Sequence, residues 1–478
     1  MNKTLPTPAM FLKSAFSFKE ALMRDEDIIR WLKKKNEQEH VNIAKIPFDQ
    51  LTEWHYDDQK GALVHRSGRF FSIEGIHVNT NWGKVSDWEQ PIINQPEIGY
   101  LGFITKEFNG VLHFLMQAKI EPGNVNCVQL SPTLQATRSN YTQVHKGKKP
   151  LYLEYFKEAR PDQVLLDQLQ SEQGARFLKK RNRNIIIKVD KNIVVHDNFI
   201  WLTLAQIKKI MRQNSLVNMD TRTVISGISF GNFEKETMTL LDSFGYGDRH
   251  IQNGESFLRS ALCAGSGLHT FEEIITFLTH MKSHFDVNIR KIPLKEIKGW
   301  IYDRSEIRHE QNKYFKVIAV NVEIGNREVF KWNQPMVEPA QEGLCAFVCK
   351  EINGVLHFAV QAKMECGNLD IIEFAPTVQC LTGNYRKTKK GALPFLDYVL
   401  KSPRNKIIFD TLQSEEGGRF YKEQNRNMIV LAGDELSSKL PEHYIWMTLN
   451  QLYEFLRFNN YLNVQARSLI AAIPFIDL

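Results

Sequence analysis

The amino-acid sequence predicts an α+β protein made of two copies of one unit, with mixed, mostly antiparallel sheets flanked by helices. Three observations carry that expectation. The segment NGVLHF begins at Asn109 and returns at Asn353, 244 residues later, opening a match of NGVLHFLMQAKIEPGN against NGVLHFAVQAKMECGN. Runs such as RFFSIEGIHV, IGYLGFIT and KYFKVIAVNVEI have the β-rich composition of strands. Segments such as RDEDIIRWLKKKNE and TFEEIITFLTHMKSHF have the apolar spacing of helices.

Further blocks repeat in order. WEQP at Trp88 matches WNQP at Trp332, and KIPF at Lys45 matches KIPL at Lys291. LQSEQGARF at Leu169 matches LQSEEGGRF at Leu412, NRN at Asn182 matches NRN at Asn425, and WLTLAQ at Trp201 matches WMTLNQ at Trp446. The offset stays between 243 and 246. Chance does not hold several blocks in order at one spacing, so the chain is a duplication followed by fusion. The expected boundaries are a first copy over 1–213, a connector over 214–267 and a second copy over 268–478.

Each copy is expected to open on a helix, over 24–37 and 270–285. Thr270 with Glu273 three residues on makes a capping-box pattern. Strands follow. Asn109-Gly110 and Asn353-Gly354 stand between strand-like runs, the strongest short-range hairpin signal. The pattern then predicts a helix over 161–179, a basic NRN turn, a strand (NIIIKV or NMIVLA) and a closing helix in WLTLAQIKKIMRQ.

Composition narrows the classes. A chain of 478 residues exceeds one ordinary core, and 43% hydrophobic with 24% charged residues is an ordinary soluble make-up. The formal charge of +7 is modest. Basic runs at 146–149, 179–184 and 386–390 suit phosphate attraction or solvated loops, but no nucleic-acid module accompanies them, so no nucleic-acid partner is expected. No apolar run approaches the ~18 residues of a membrane span. The first residues lack an apolar core followed by a small-residue cleavage site, and a cytoplasmic location without membrane contact is expected. Cys127, Cys263, Cys345, Cys349, Cys366 and Cys380 form no CxxC pair and read as free thiols. GxGxxG, GxxxxGK[ST] and HExxH are absent, as are clustered metal-ligand spacings and a nucleophile elbow. Neither metal nor cofactor is expected.

The residues that remain as chemistry are polar ones in the repeated blocks. Gln117, Lys119 and Glu121 follow His113 at period two and share one strand face; His357, Gln361, Lys363 and Glu365 repeat the row. For His113 a core ring bracing the sheet is the plainer reading, whereas the row as a whole points to a wet face or a ligand cleft. The next turn leads to Thr133, Gln135, Arg138, Asn140 and Tyr141, with Gln379 and Tyr385 in the second copy. Arg138 has the fork geometry that grips phosphate, and Thr382 replaces it in the second copy. Glu172 with Arg176, and Glu415 with Arg419, read as helical neighbours, either a surface pair or an arginine aimed at a diphosphate. His65 lies opposite His309. Trp54, Trp88, Trp300 and Trp332 are core residues or stacking platforms.

With these residues in place, WEQP, NGVLHF-LMQAKIEPGN, SPTLQAT-SNY and LQSEQGARF, each with its second copy, resemble the sugar-nucleotide 2,3-dehydratase family over roughly residues 20–470. The resemblance implies tandem Nudix-like domains, a homodimer, and two nucleotide-sugar pockets per subunit, one catalytic and one vestigial. Only LQSEQG and LQSEEG echo the end of a Nudix signature, so metal-dependent diphosphate hydrolysis is expected to be lost. The implied reaction needs no cofactor. In an NDP-4-keto-6-deoxyhexose, with the dTDP sugar as default, a base takes the C3 proton, a donor holds the enolate, and an acid helps the C2 hydroxyl leave. The product is a 3,4-diketo-2,6-dideoxy sugar nucleotide. Candidate roles are His65 or Glu121 as base, Tyr141 or Lys119 as donor or acid, and Arg138 and Arg176 on the diphosphate. Other substrate contacts are expected from Trp88, His113, Gln117, Thr133, Gln135, Asn140 and Glu172, and from His309, Trp332, Lys363, Glu365, Gln379, Tyr385 and Arg419. Arg138 tilts the choice of catalytic pocket towards the first half. The rival readings are a Nudix-type nucleotide-sugar hydrolase and a non-catalytic nucleotide-sugar binder.

Overall fold

The computed structural model describes residues 5–141, 149–243, 252–325, 329–384 and 393–475. Helices flank four sheets, two of five strands and two of seven. The α+β expectation and the repeat of one similar unit are both visible in this arrangement. The expected helix over 270–285 is Phe271–His284, with Thr270 accepting from the Glu273 amide and Glu273 accepting from the Thr270 amide. Asn109 and Gly110 take positive φ at the tip of the hairpin Gly99–Phe108/Val111–Ile120, as Asn353 and Gly354 do for Gly343–Ile352/Val355–Met364.

Each seven-stranded sheet is mixed. In the first, Arg181–Lys188 runs parallel to Gly99–Phe108 and antiparallel to Val164–Ser171. This corrects the expected helix over 161–179: the stretch holds strand Val164–Ser171 followed by turns, and NRN lies inside the following strand rather than in a turn. Alternating Leu166, Gln168 and Gln170 carry a period of two that the charged residues around them obscured.

The central hairpin pairs only near its tip, from Thr105 with Phe114 to Phe108 with Val111. Beyond that the strands splay. Short strands Val128–Ser131 and Leu134–Ala136 fill the gap, one on each arm. Thr133 is the wedge: its hydroxyl donates to Leu115 O at 2.5 Å and accepts from the Ile104 amide at 2.9 Å. Thr377 accepts from the Val348 amide and donates to Ala359 O in the second half.

The halves are not separate bodies. Strand Val41–Ile46 pairs with Phe315–Ile324 of the second half, and Val287–Ile292 pairs with Ser72–Thr80 of the first. Each half therefore contributes the outer strand of the other's five-stranded sheet. The apolar cores are shared as well; Leu51, Trp54 and Ile73 lie in one cluster with Leu294, Trp300 and Val317. The two largest apolar clusters therefore span both halves, while two smaller ones stay within a single half.

The stretch 214–267, expected as connector, carries helices Met219–Ser226, Lys235–Ser243 and Gln252–Leu262. The first lies against the first half's sheet, where Asn184 donates to Thr223 O, and its counterpart Val464–Ala471 lies beside it. The last is the counterpart of Thr7–Phe16: Ser14 donates to Leu112 O and Ser260 to Leu356 O. The repeat thus extends beyond the legible blocks at both ends, because these helices keep fold-specific contacts while their surface residues diverge.

Candidate active site

The cleft forms where the first hairpin splays. Gly99, Leu101, Lys119, Glu121, Gln135 and Ala136 line it from the parted strands, and Glu172, Lys180 and Asn182 from the neighbouring strands. Asp220, at the start of helix Met219–Ser226, closes one side. The second half supplies Trp332, Gln334, Glu416, Gly418 and Arg419.

Two interlocked turns bring those segments across. The Gly123 amide donates to Gly417 O at 2.7 Å, and the Lys422 amide donates to Gly123 O at 2.8 Å. A Cβ on Gly123 would lie 1.6 Å from Phe420 O, so only glycine allows this approach. The mirror contact is Gly367 to Gly174 O at 2.6 Å, with a Cβ on Gly367 1.9 Å from Phe177 O.

Within the cleft a short relay orients one carboxylate. The Asn218 side chain caps the helix by accepting from the Thr221 amide and donates to Gln135 Oε1 at 3.2 Å. Gln135 Nε2 in turn donates to Glu121 Oε1 at 2.7 Å. Lys119 donates to Gln135 O at 3.2 Å. On the facing side Asn182 donates to Glu172 Oε1 at 2.6 Å, and Lys180 donates to Asn182 Oδ1 at 2.8 Å and to Glu97 O. Arg419 donates to Gln95 Oε1 at 3.2 Å and lies over the Phe71 ring at 4.2 Å.

Four carboxyl groups crowd this space, and they cannot all ionise cheaply. Burial, then Glu121, pushes the Glu416 carboxyl up to about 8. Burial, reinforced by Glu121, Glu416 and Glu172, holds Asp220 well above the usual carboxylate range. Burial also raises Glu172 and, opposed by the Glu172 charge, lowers the Lys180 ammonium to about 8. Near neutral pH the cleft therefore holds protonated carboxyls beside an ionisable amine. That is the equipment of general acid and base work.

The counterpart in the other half keeps the scaffold and only part of this equipment. Gln379 donates to Glu365 at 2.8 Å, Asn463 donates to Gln379 at 2.7 Å, and Asn425 donates to Glu415. Yet Gln465 stands where Asp220 does, Gln173 where Glu416 does, and Glu423 where Lys180 does. Gln173 donates to Glu415. An amide gives up no proton, so this cluster lacks the acids at the positions of Asp220 and Glu416, while Glu365, Glu415 and Glu423 stay in it with carboxyls raised by burial.

The sequence candidates divide accordingly. Lys119, Glu121, Gln135, Glu172, Trp332 and Arg419 meet in the cleft. Lys363, Glu365, Gln379, Trp88 and Arg176 belong to the counterpart side; Trp88 donates to Gln90, which donates to Ala175 O. Glu172 and Arg176 are not helical neighbours, since they follow a strand and face different clusters. His65 and His309 do not line the cleft. They sit in the five-stranded sheets against Trp54 and Trp300, at 5.2 and 5.5 Å. His113 is fully buried, its Nδ1 on Val111 O at 2.9 Å, and burial lowers its proton affinity; it braces the hairpin. Gln117 pairs in register with Ser131, and Thr133 is the wedge already described. Arg138 and Tyr141 lie on the short helix that directly follows the lining residues Gln135, Ala136 and Thr137 and are not themselves among the lining residues, with Tyr141 edge-on to Tyr100 at 5.7 Å. The Asn140 side chain and Tyr385 lie outside the described residues.

Lys180, Asp220 and Glu416 escaped the sequence reading. For Lys180 and Glu416 the signal lay in the repeat itself, since each is a charged residue inside or beside a shared block whose twin has a different charge, whereas Asp220 lies in the stretch expected as connector. Among the described residues, no group of three or more His, Cys, Asp or Glu is arranged to hold a metal, and no helix is long and apolar enough to cross a membrane.

Comparison with known proteins bears on the cleft. The family model described as NDP-hexose 2,3-dehydratase matches residues 25–228 and 271–473. A dTDP-4-dehydro-6-deoxy-alpha-D-glucopyranose 2,3-dehydratase of Saccharopolyspora spinosa is 43% identical over 467 residues, covering 97% of this chain and 94% of the relative. Proteins of the same name from Amycolatopsis orientalis and Streptomyces violaceoruber are 41% and 42% identical, covering 94% and 93% of this chain and 90% and 95% of their own.

Proposed function

The chain belongs to the NDP-hexose 2,3-dehydratase family, and from that premise we propose that it removes water across C2 and C3 of dTDP-4-dehydro-6-deoxy-alpha-D-glucopyranose in the first cleft. The observation that carries the choice of cleft is the one-sided placement of Asp220, Glu416 and Lys180, against Gln465, Gln173 and Glu423 in the counterpart.

The substrate's C4 ketone acidifies the proton on C3. Glu121, oriented by Gln135, takes it, and the electrons move into the C4 oxygen as an enolate. Lys119 or Lys180 faces that oxygen as donor. The enolate then expels the C2 hydroxyl, which leaves as water with a proton from Glu416, while Asp220 keeps the shared acid site protonated. The C3 hydroxyl becomes an enol, and tautomerisation places a proton on C2. Arg419 and Trp332 present a cation and an aromatic face to the diphosphate and a ring of the substrate. The same resemblance carries a Nudix-type fold and a homodimer into this reading; light scattering that returned one chain mass would remove the homodimer.

The test is incubation with the 4-keto-6-deoxy sugar nucleotide, followed by mass detection of one lost water and of solvent deuterium gained at C2. Magnesium-dependent release of a nucleoside monophosphate would replace this reading by hydrolysis. Tight binding with no water lost would replace it by a binding role.

A further inference from the structure

We propose that Arg222 fixes the separation of Asp220 and Glu416, and is thereby a positioning residue for the elimination. The proposal rests on the first cleft being the reacting one. Arg222 is 1% exposed and lies two residues after Asp220 on helix Met219–Ser226. Its Nη1 donates to Val217 O at 2.7 Å and to Gln413 Oε1 at 2.9 Å. Its Nη2 donates to Ser414 O, two residues before Glu416, and its Nε donates to Ser468 Oγ at 2.8 Å. One planar group thus ties the approach to the Asp220 helix, the strand end that leads into Glu416, and the facing helix Val464–Ala471.

An apolar side chain would fill this interior at lower cost, because burying a charge takes back much of what its contacts give. What an apolar residue lacks is direction. The guanidinium fork holds several oxygens at fixed angles, which lysine cannot do. Arg467 stands at the equivalent place. It donates to Leu462 O at 2.6 Å, to Ser171 O next to Glu172, and to Thr223 Oγ1 at 2.9 Å. The two arginines cross between halves, but only Arg222 joins the two acids that distinguish the first cleft. The charged and titratable groups facing Arg222 are Glu415, Asp220 and Cys345; those facing Glu416 are Glu121, Arg419, Glu172, Asp220 and Lys180. Moving Asp220 relative to Glu416 changes which carboxyl holds a proton, so the pH profile reports Arg222's role where a purely structural part would leave it unmoved.

The experiment compares full-length wild type, Arg222→Lys and Ser468→Ala. Turnover of the 4-keto-6-deoxy sugar nucleotide is followed against pH, and the Glu416 carboxyl is titrated by carbon NMR, assigned with Glu416→Gln. Folded Arg222→Lys is expected to lose about tenfold or more in kcat, with KM within about threefold, and to shift the alkaline limb and the Glu416 titration together. Ser468→Ala, which removes one acceptor, is expected to move both in the same direction by less. If Arg222→Lys does not fold, Ser468→Ala decides. A folded variant with the wild-type kcat, pH profile and Glu416 titration overturns the proposal. Wild type that loses no water overturns the functional reading alone, and the Glu416 titration in the variants then decides the positioning role by itself.

Discussion

The amide of Gly123 in the first half meets the carbonyl of Gly417 in the second at 2.7 Å, and this contact brings Glu416 to a cleft that it shares with Glu121 and Glu172 of the first half. Replacing Gly123 by alanine would drive a methyl into Phe420 O. Gly123→Ala is expected to cost about 2–3 kcal/mol in denaturant unfolding and to lower turnover by more than the folded fraction explains. Unchanged unfolding would mean that the turns part without consequence.

Asp220 and Glu416 have amide twins in Gln465 and Gln173, which gives a matched comparison. Glu416→Gln is expected to lower kcat by about a hundredfold or more, and Asp220→Asn by about tenfold or more, with substrate still bound. Gln173→Ala and Gln465→Ala are expected to stay within about threefold of wild type. Steady-state kinetics on the four variants checks this. An inverted pattern would move the reaction to the counterpart cluster.

The pH dependence of stability carries its own sign. Glu416 is raised from 4.5 to about 8 in the folded chain. Across that window the unfolded chain has lost the proton that the folded chain keeps, so stability falls as pH rises. Glu373 and Glu423, each raised to about 7, act in the same direction. Lys180, lowered from 10.5 to about 8, acts oppositely above that value. Urea midpoints at pH of about 5 and about 8 are expected to show a shallower fall in Glu416→Gln than in wild type. Parallel slopes would place the Glu416 carboxyl in the ordinary range.

The exchanged strands make the halves interdependent. A chain cut in the 244–251 region is expected to give two pieces that co-purify one-to-one when expressed together and that aggregate when expressed apart. Each alone would expose an unpaired edge on its five-stranded sheet and part of a shared core. A soluble, cooperatively melting single half would refute this dependence.

Much of the repeat was legible in the sequence because local chemistry fixes it. Asn109-Gly110 demands a hairpin, Thr270 with Glu273 caps a helix, and Lys119, Glu121 and Gln135 keep their pattern in both copies. What escaped was non-local. Glu172 and Arg176 look like one helical turn until strand Val164–Ser171 sends them to opposite sides. His65 looks like a base until Trp54 and Phe70 enclose it in another sheet. Glu416 sits in the second copy's most faithful block, and nothing in local pattern says that the block serves the first copy's cleft. Its mismatch with Gln173 was visible, but its meaning depended on the crossing.

The exchanged strands and interlocked turns also set an order of events. A single ancestral unit with these features finishes neither sheet nor cleft, and needs a second copy to do so. A pair of identical chains related by a twofold axis would own two clefts bound to remain equal, since every substitution lands in both. Joining the copies end to end lifts that constraint. Position 173 can then differ from 416, 465 from 220 and 423 from 180, so covalent linkage permits two clusters of one architecture to carry different side chains.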